Sequence, residues 1–253
     1  MAASPEPHTA VLDDNDVFLT IMEPQIQFTL LDRSTDLLDA WKAAFEKYLP
    51  TALGDTFTLL QSDIRKAGKF DCVVSPANSY GIMDGGIDLY IAAAISPTDT
   101  TPVIRSVQKH LYANHRGYLS AGQCAIAPLP AELCGPSNVL GCKYIAVLPT
   151  MRLPERIEWQ RDIVYDCMWN LLLALEKHNG AAVAEHSGKE IRTVVMSGLA
   201  TGTGGISHQK CAEQMVLAVK HFREATSTPA MWSQFDWEDV EVLDEEIGPT
   251  RKL

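Results

Sequence analysis

The run Asp84-Gly85-Gly86-Ile87-Asp88 ends a stretch, SPANSYGIMDGGID, that begins at Ser75 and carries Asn78 near its start. Carboxylates so placed can orient or deprotonate a water, and an asparagine amide can hold a hydroxyl. Bare glycine backbone can approach a ligand closely at the expense of conformational entropy. A second run, SGLATGTGGIS from Ser197 to Ser207, gathers Gly202, Thr203, Gly204, Gly205 and Ile206 ahead of an amphipathic segment. Its N–H groups, with those of the helix that follows, can cradle phosphate oxygens without any lysine, which suits an acidic chain. Asp88 also fits the first turn of a helix, where a carboxylate favours the dipole, and Asp63 fits a plain turn after a strand.

Several familiar chemistries are excluded. The second loop lacks the GK[ST] ending of a nucleotide-hydrolysing P-loop, and Gly202 to Ser207 matches GxGxxG only in part. The six cysteines include no CxxC pair, and cysteines and histidines together show no zinc-site spacing, so neither a metal nor a cofactor is expected. A net charge of −11 argues against broad nucleic-acid or anionic-membrane binding, and no apolar run reaches the ~20 residues of a membrane span. Reduced thiols and a cytosolic or nuclear monomer are the expectation.

The elements that must position these loops alternate. Strands are predicted at 28–31, 57–60, 72–74, 123–127, 144–148 and 191–196, and helices at 34–48, 86–95, 102–115, 155–177 and 206–224. Such alternation implies a mixed central sheet with helices on both faces, and ligands bind beyond the carboxyl ends of its strands. Residues 1–18 read as a flexible tail, and 19–253 as one domain with an extension from about 225. The acidic segment 238–246 is expected to be solvated, Trp232, Phe235 and Trp237 to fold back, and Trp159 and Trp169 to serve as helix core.

Taken in order, the two loops resemble the macrodomain family over roughly residues 57–224. Its GDI[TS], NAAN-to-GGGVD and STGI[FY]G-like segments correspond here to Gln61-Ser62-Asp63-Ile64, to Ser75-Pro76-Ala77-Asn78 through Asp88, and to Ala200 through Gly205. The resemblance implies a three-layer α/β/α sandwich that binds ADP-ribose or a derivative, including ADP-ribosylated protein. It would place Asp63 and the Ile64 N–H on adenine, Asn78 on the distal ribose, and Gly85, Gly86 and Ile87 against the diphosphate. Ser197 and Gly202 to Ile206 would close the other side. Asp88 falls where active members carry an aspartate linked to turnover, which implies hydrolysis of a 1″-phosphate or a mono-ADP-ribosyl ester without metal; the alternative is a non-catalytic reader. Ser75, Asp84 and Gly204 depart from the family pattern, Asp84 adding a second carboxylate. Phe222, Phe235 and Trp237 are candidates for stacking on adenine, and Arg152 is either a surface charge or a contact to a terminal phosphate.

Overall fold

The computed structural model describes residues 26–253, so the tail predicted at 1–18 lies outside the described residues. Strands β1 (Gln27–Asp32), β2 (Phe57–Gln61), β3 (Cys72–Ser75), β4 (Ala125–Pro128), β5 (Tyr144–Val147) and β6 (Thr193–Met196) form one sheet in the order β2-β1-β6-β3-β5-β4. All neighbours are parallel except β4, which runs antiparallel to β5 on one edge. The helices are α1 (Thr35–Tyr48), α2 (Gly86–Ile95), α3 (Thr101–His115), α4 (Ile163–Ala184), α5 (His208–Ser227), α6 (Pro229–Trp232) and α7 (Trp237–Ile247).

Side-chain alternation along the strands divides the core in two. Phe28, Leu30, Cys72, Val74, Val194 and Met196 face one side and pack with Trp41 and Phe45 of α1, Met168 and Leu171 of α4, and Met215 of α5. Leu31, Val73, Ile145, Val147 and Val195 face the other and pack with Ile91 of α2 and Val107 and Leu111 of α3. The expected three-layer α/β/α sandwich with a mixed sheet is therefore the observed architecture. None of the described helices is long and apolar enough to cross a membrane.

The pairing of β3 with β6, Cys72 opposite Val194 and Val73 opposite Val195, brings two distant parts of the chain side by side. Asp71 fixes that pairing at its amino end. Its Oδ2 accepts hydrogen bonds from the Arg192 and Thr193 N–H groups and from the Thr193 hydroxyl, all at 2.9 Å. Because the two strands are parallel neighbours in fixed register, the loops that follow them must leave from the same edge.

The sequence misplaced one helix by two turns. α4 starts at Ile163 instead of 155, because the preceding segment braces the second glycine loop: Ile157 is buried and its N–H donates to Gly204 O at 2.9 Å. It continues to Ala184 through Asn179-Gly180, since the Asn179 side chain is buried and exchanges hydrogen bonds with both the N–H and the C=O of Ile191. Trp159 precedes the helix and is exposed, whereas Trp169 is half-buried on it.

The segment 238–246 belongs to α7, which begins with a capping box between Asp236 and Asp239. Glu246 ties it to Lys220 and His221 on α5, and Arg251 bridges Asp162 and Asp244. Trp232 does fold back, stacking on Trp169 at 5.5 Å, and Phe235 packs on Trp232 at 4.7 Å. Trp237 does not; it is 80% exposed.

Candidate functional site

The carboxyl ends of β1, β6, β3 and β5 open into a cleft of about 290 Å³, with Asp32, Ser197, Pro76 and Thr150 at its base. One wall is the loop after β3, contributing Asn78, Asp84, Gly85, Gly86, Ile87 and Asp88. The opposite wall is the loop after β6, contributing Gly202, Thr203 and Gly204.

Gly85 is the N-cap of α2 and supplies no side-chain cap. The first N–H groups of that helix, on residues that line the cleft, therefore have no acceptor among the described residues where a Ser, Asp or Asn cap would ordinarily take them. Gly85 has an extended backbone and Gly86 a positive φ of 56°, and a Cβ added at either would meet nothing within 4 Å. Gly202 opposite is equally unobstructed. At these three positions none of the described residues fills the space a Cβ would take.

Other glycines answer to the protein itself. A Cβ on Gly204 would lie 2.6 Å from Ala200 O, and one on Gly198 would lie 2.6 Å from a Leu37 methyl. Ala200 adopts φ 58°, a left-handed conformation uncommon for a residue with a Cβ. Gly205 and Ile206, expected at the site, are not among the cleft-lining residues. Gly205 closes a turn on Gly202, and Ile206 is buried in the core with its N–H on Ala200 O. The N-terminus of α5, expected to help bind an anion, is capped by Ser207, whose hydroxyl accepts from the Lys210 N–H.

Asp88 sits in the first turn of α2 and is 7% exposed. The buried Ser75 hydroxyl donates to its Oδ1 at 2.7 Å, and Oδ2 has no protein partner among the described residues. Burial pushes this carboxyl up to about 6. The Ser75 bond pulls the other way, and the charge of Asp84 adds to the rise. Asn78 is half engaged: Oδ1 accepts from the Tyr80 and Ile82 N–H groups and Nδ2 donates to Ile82 O at 2.7 Å. One Nδ2 proton remains for a ligand.

Asp63 and Ile64 do not line the cleft. Asp63 caps a short 3-10 turn and accepts from the Arg65 N–H, Nε and Nη2 at 3.0, 2.8 and 2.6 Å, and the guanidinium holds its carboxyl well below the usual carboxylate range. Ile64 is buried beneath α2. Neither Phe222, Phe235 nor Trp237 reaches the cleft; Phe222 packs edge-on against Trp169 at 5.2 Å.

The chain is similar to macrodomains of known structure. The macrodomain of Mycobacterium tuberculosis DarG is 18% identical over 63% of this chain and 87% of its own, with a TM-score of 0.44. A Trypanosoma brucei macrodomain is 16% identical over 64% of this chain and 54% of its own, with a TM-score of 0.41. The Oceanobacillus iheyensis macrodomain with ADP is 16% identical over 74% of this chain and 87% of its own, with a TM-score of 0.45. No protein-family model matches the chain.

Two residues at the base of the cleft escaped the sequence reading. Asp32 ends β1, and its carboxylate accepts from the Ser34 N–H at 2.7 Å while facing the cleft. In the sequence it merely precedes a helix cap. Thr150 is fully buried, lines the cleft, and its hydroxyl has no hydrogen-bond partner among the described residues. An orphaned buried hydroxyl is uncommon enough to mark a place where a water or ligand atom belongs. Its signal is the strand end Val147-Leu148, which places Thr150 beside the first glycine loop only once β5 is paired with β3.

Proposed function

We propose that the cleft binds ADP-ribose and that Asp88 activates water to remove a substituent from the 1″ position of its distal ribose. The observation that carries this reading is the uncapped N-terminus of α2 at Gly85 facing the unobstructed Gly202 backbone, with the buried Asp88 behind. A diphosphate fits between such walls because both offer backbone N–H donors instead of cationic side chains, and the α2 dipole adds to one of them. The order of the motifs along the chain points the same way.

Within this reading Asn78 and the Thr150 hydroxyl hold the distal ribose and the attacking water. Asp32, rather than Asp63, is the acceptor for the purine amino group, because Asp63 is already occupied by Arg65. Ser75 fixes Oδ1 of Asp88, which leaves Oδ2 to take a proton from water. Positioned general-base help of this kind is worth about 10²–10⁴ in rate. The leaving group departs with the proton that Asp88 or bulk water returns, and ADP-ribose is the product.

Incubation with ADP-ribose-1″-phosphate and with a mono-ADP-ribosylated protein, followed by resolution of the nucleotide products, tests the chemistry. The expected result is free ADP-ribose from one or both. If both substrates survive for hours while free ADP-ribose binds, the protein is a reader of ADP-ribose and not a hydrolase.

A further inference from the structure

Beyond Asn78 the rim of the cleft carries a preassembled cation. Ser79 N–H donates to Met151 O at 3.1 Å and Asn78 pairs with Met151 as an isolated bridge, so the loops 78–82 and 150–154 form one rim. Asn78 Oδ1 accepts the Tyr80 N–H and so sets that residue's position. Tyr80 packs edge-on against Tyr118 at 5.7 Å. Arg152 lies between the cleft-lining residues Met151 and Pro154; its Nε donates to the Tyr80 hydroxyl at 3.3 Å and its guanidinium stands 5.6 Å from the centre of the Tyr118 ring.

Among the described residues only neutral groups hold the guanidinium. Nη1 and Nη2 have no hydrogen-bond partner among the described residues, and Arg152 makes no ion pair there although the chain carries a net charge of −11. Between Asp99 and Glu132 the sequence has no Asp or Glu, while Arg105, Lys109 and Arg116 are exposed on α3 and its cap. The Leu119 N–H bonds Ser79 O at 2.9 Å and Gly81 sits on Val107, so α3 and the segment after it back directly onto this rim.

We propose that Arg152, clamped by Tyr80 and Tyr118, is a specificity-determining residue that receives a phosphate on the group carried by the distal ribose. A planar guanidinium with two amino groups free among the described residues matches two phosphate oxygens, and its attachment through Nε leaves both of them available. The phosphate is either a 1″-phosphate or the terminal phosphate of an ADP-ribosylated oligonucleotide; an ADP-ribosylated glutamyl ester offers none. This inference rests on the ADP-ribose reading of the cleft.

The test is calorimetry on the full chain carrying Asp88→Ala to suppress turnover, with and without Arg152→Met. Ligands are ADP-ribose, ADP-ribose-1″-phosphate, an oligonucleotide ADP-ribosylated on its terminal phosphate, and an ADP-ribosyl-glutamyl peptide. Arg152→Met alters an exposed side chain and should weaken one or both phosphate-bearing ligands about tenfold to a hundredfold, leaving ADP-ribose and the peptide within about twofold. Loss on one arm alone identifies the source of the phosphate. Tyr80→Phe should produce a smaller loss in the same direction. Equal loss for ADP-ribose, or no loss for either phosphate ligand, overturns the proposal. Failure of the parent protein to bind ADP-ribose at all is a different outcome and removes the reading of the cleft itself.

Discussion

Asp88→Asn should abolish most turnover, by about 10²–10⁴, while leaving ADP-ribose affinity nearly intact and making the fold more stable at neutral pH. The two effects share one cause. In the folded protein the Asp88 carboxyl is raised to about 6 by burial, whereas an unfolded aspartate ionises near 3.9. Between these values the folded state holds a proton that the unfolded state has released, so stability falls as pH rises through that window and the full cost is present above about 6. That cost is on the order of 2–3 kcal/mol, since each tenfold difference in proton affinity between the two states is worth about 1.4 kcal/mol. Asparagine carries no such charge. Thermal melts of the two proteins should coincide below about pH 4 and separate above pH 6, with the asparagine variant melting higher. Turnover of the parent should rise with pH through about 6 and then level, because only the ionised carboxylate can accept a proton from water. Unchanged turnover in the variant would remove Asp88 from the chemistry.

Gly85→Asp should separate binding from folding in the opposite way. Gly85 has an extended backbone and open space for a side chain, and aspartate is a better N-cap than glycine by a few tenths of a kcal/mol. The fold should therefore tolerate it, with nearby Asp84 and Asp88 offsetting any gain. ADP-ribose affinity should fall at least about a hundredfold, roughly 2.7 kcal/mol, because the new carboxylate takes the α2 N–H groups and repels the diphosphate. Gly204→Glu would be a poor substitute: its Cβ strikes Ala200 O, so lost binding would not distinguish the ligand from the loop. Calorimetry on Gly85→Asp, after its melting temperature is matched to the parent, reads the effect. Full affinity would place the anion elsewhere.

The fold was legible wherever local pattern and tertiary use agreed. Ser34 caps α1 as its type suggests, and α2 covers residues 86–95 as expected from the glycine start and the apolar run. The misplaced start of α4 had no local signal, because Ile157 is held out of the helix by a backbone bond to Gly204 that exists only after the sheet has formed. The expected helix ends at Lys177, yet the Asn179 amide latches Ile191 and the helix runs on to Ala184.

The candidate site divides along the same line. Asn78, Asp84 to Asp88 and Gly202 to Gly204 stand out in sequence as two glycine-rich runs, and the pairing of parallel β3 and β6 brings these runs to one cleft. Asp32 and Thr150 belong to strand ends with no distinctive spacing, so only the pairing of β1 with β6 and of β3 with β5 brings them to the cleft. Asp63 lies outside the cleft-lining residues and pairs with Arg65 two residues on, a partner that a carboxylate after a strand does not announce in sequence.

If backbone donors on two loops grip the diphosphate of ADP-ribose, calorimetric titration of the full chain with ADP-ribose beside AMP will register it. Binding of ADP-ribose with one-to-one stoichiometry, and of AMP at least about thirtyfold more weakly because it lacks the second phosphate and the distal ribose, is the expected result. No heat from ADP-ribose at millimolar concentration, in a protein whose melt shows it folded, would mean that the two loops do not grip it.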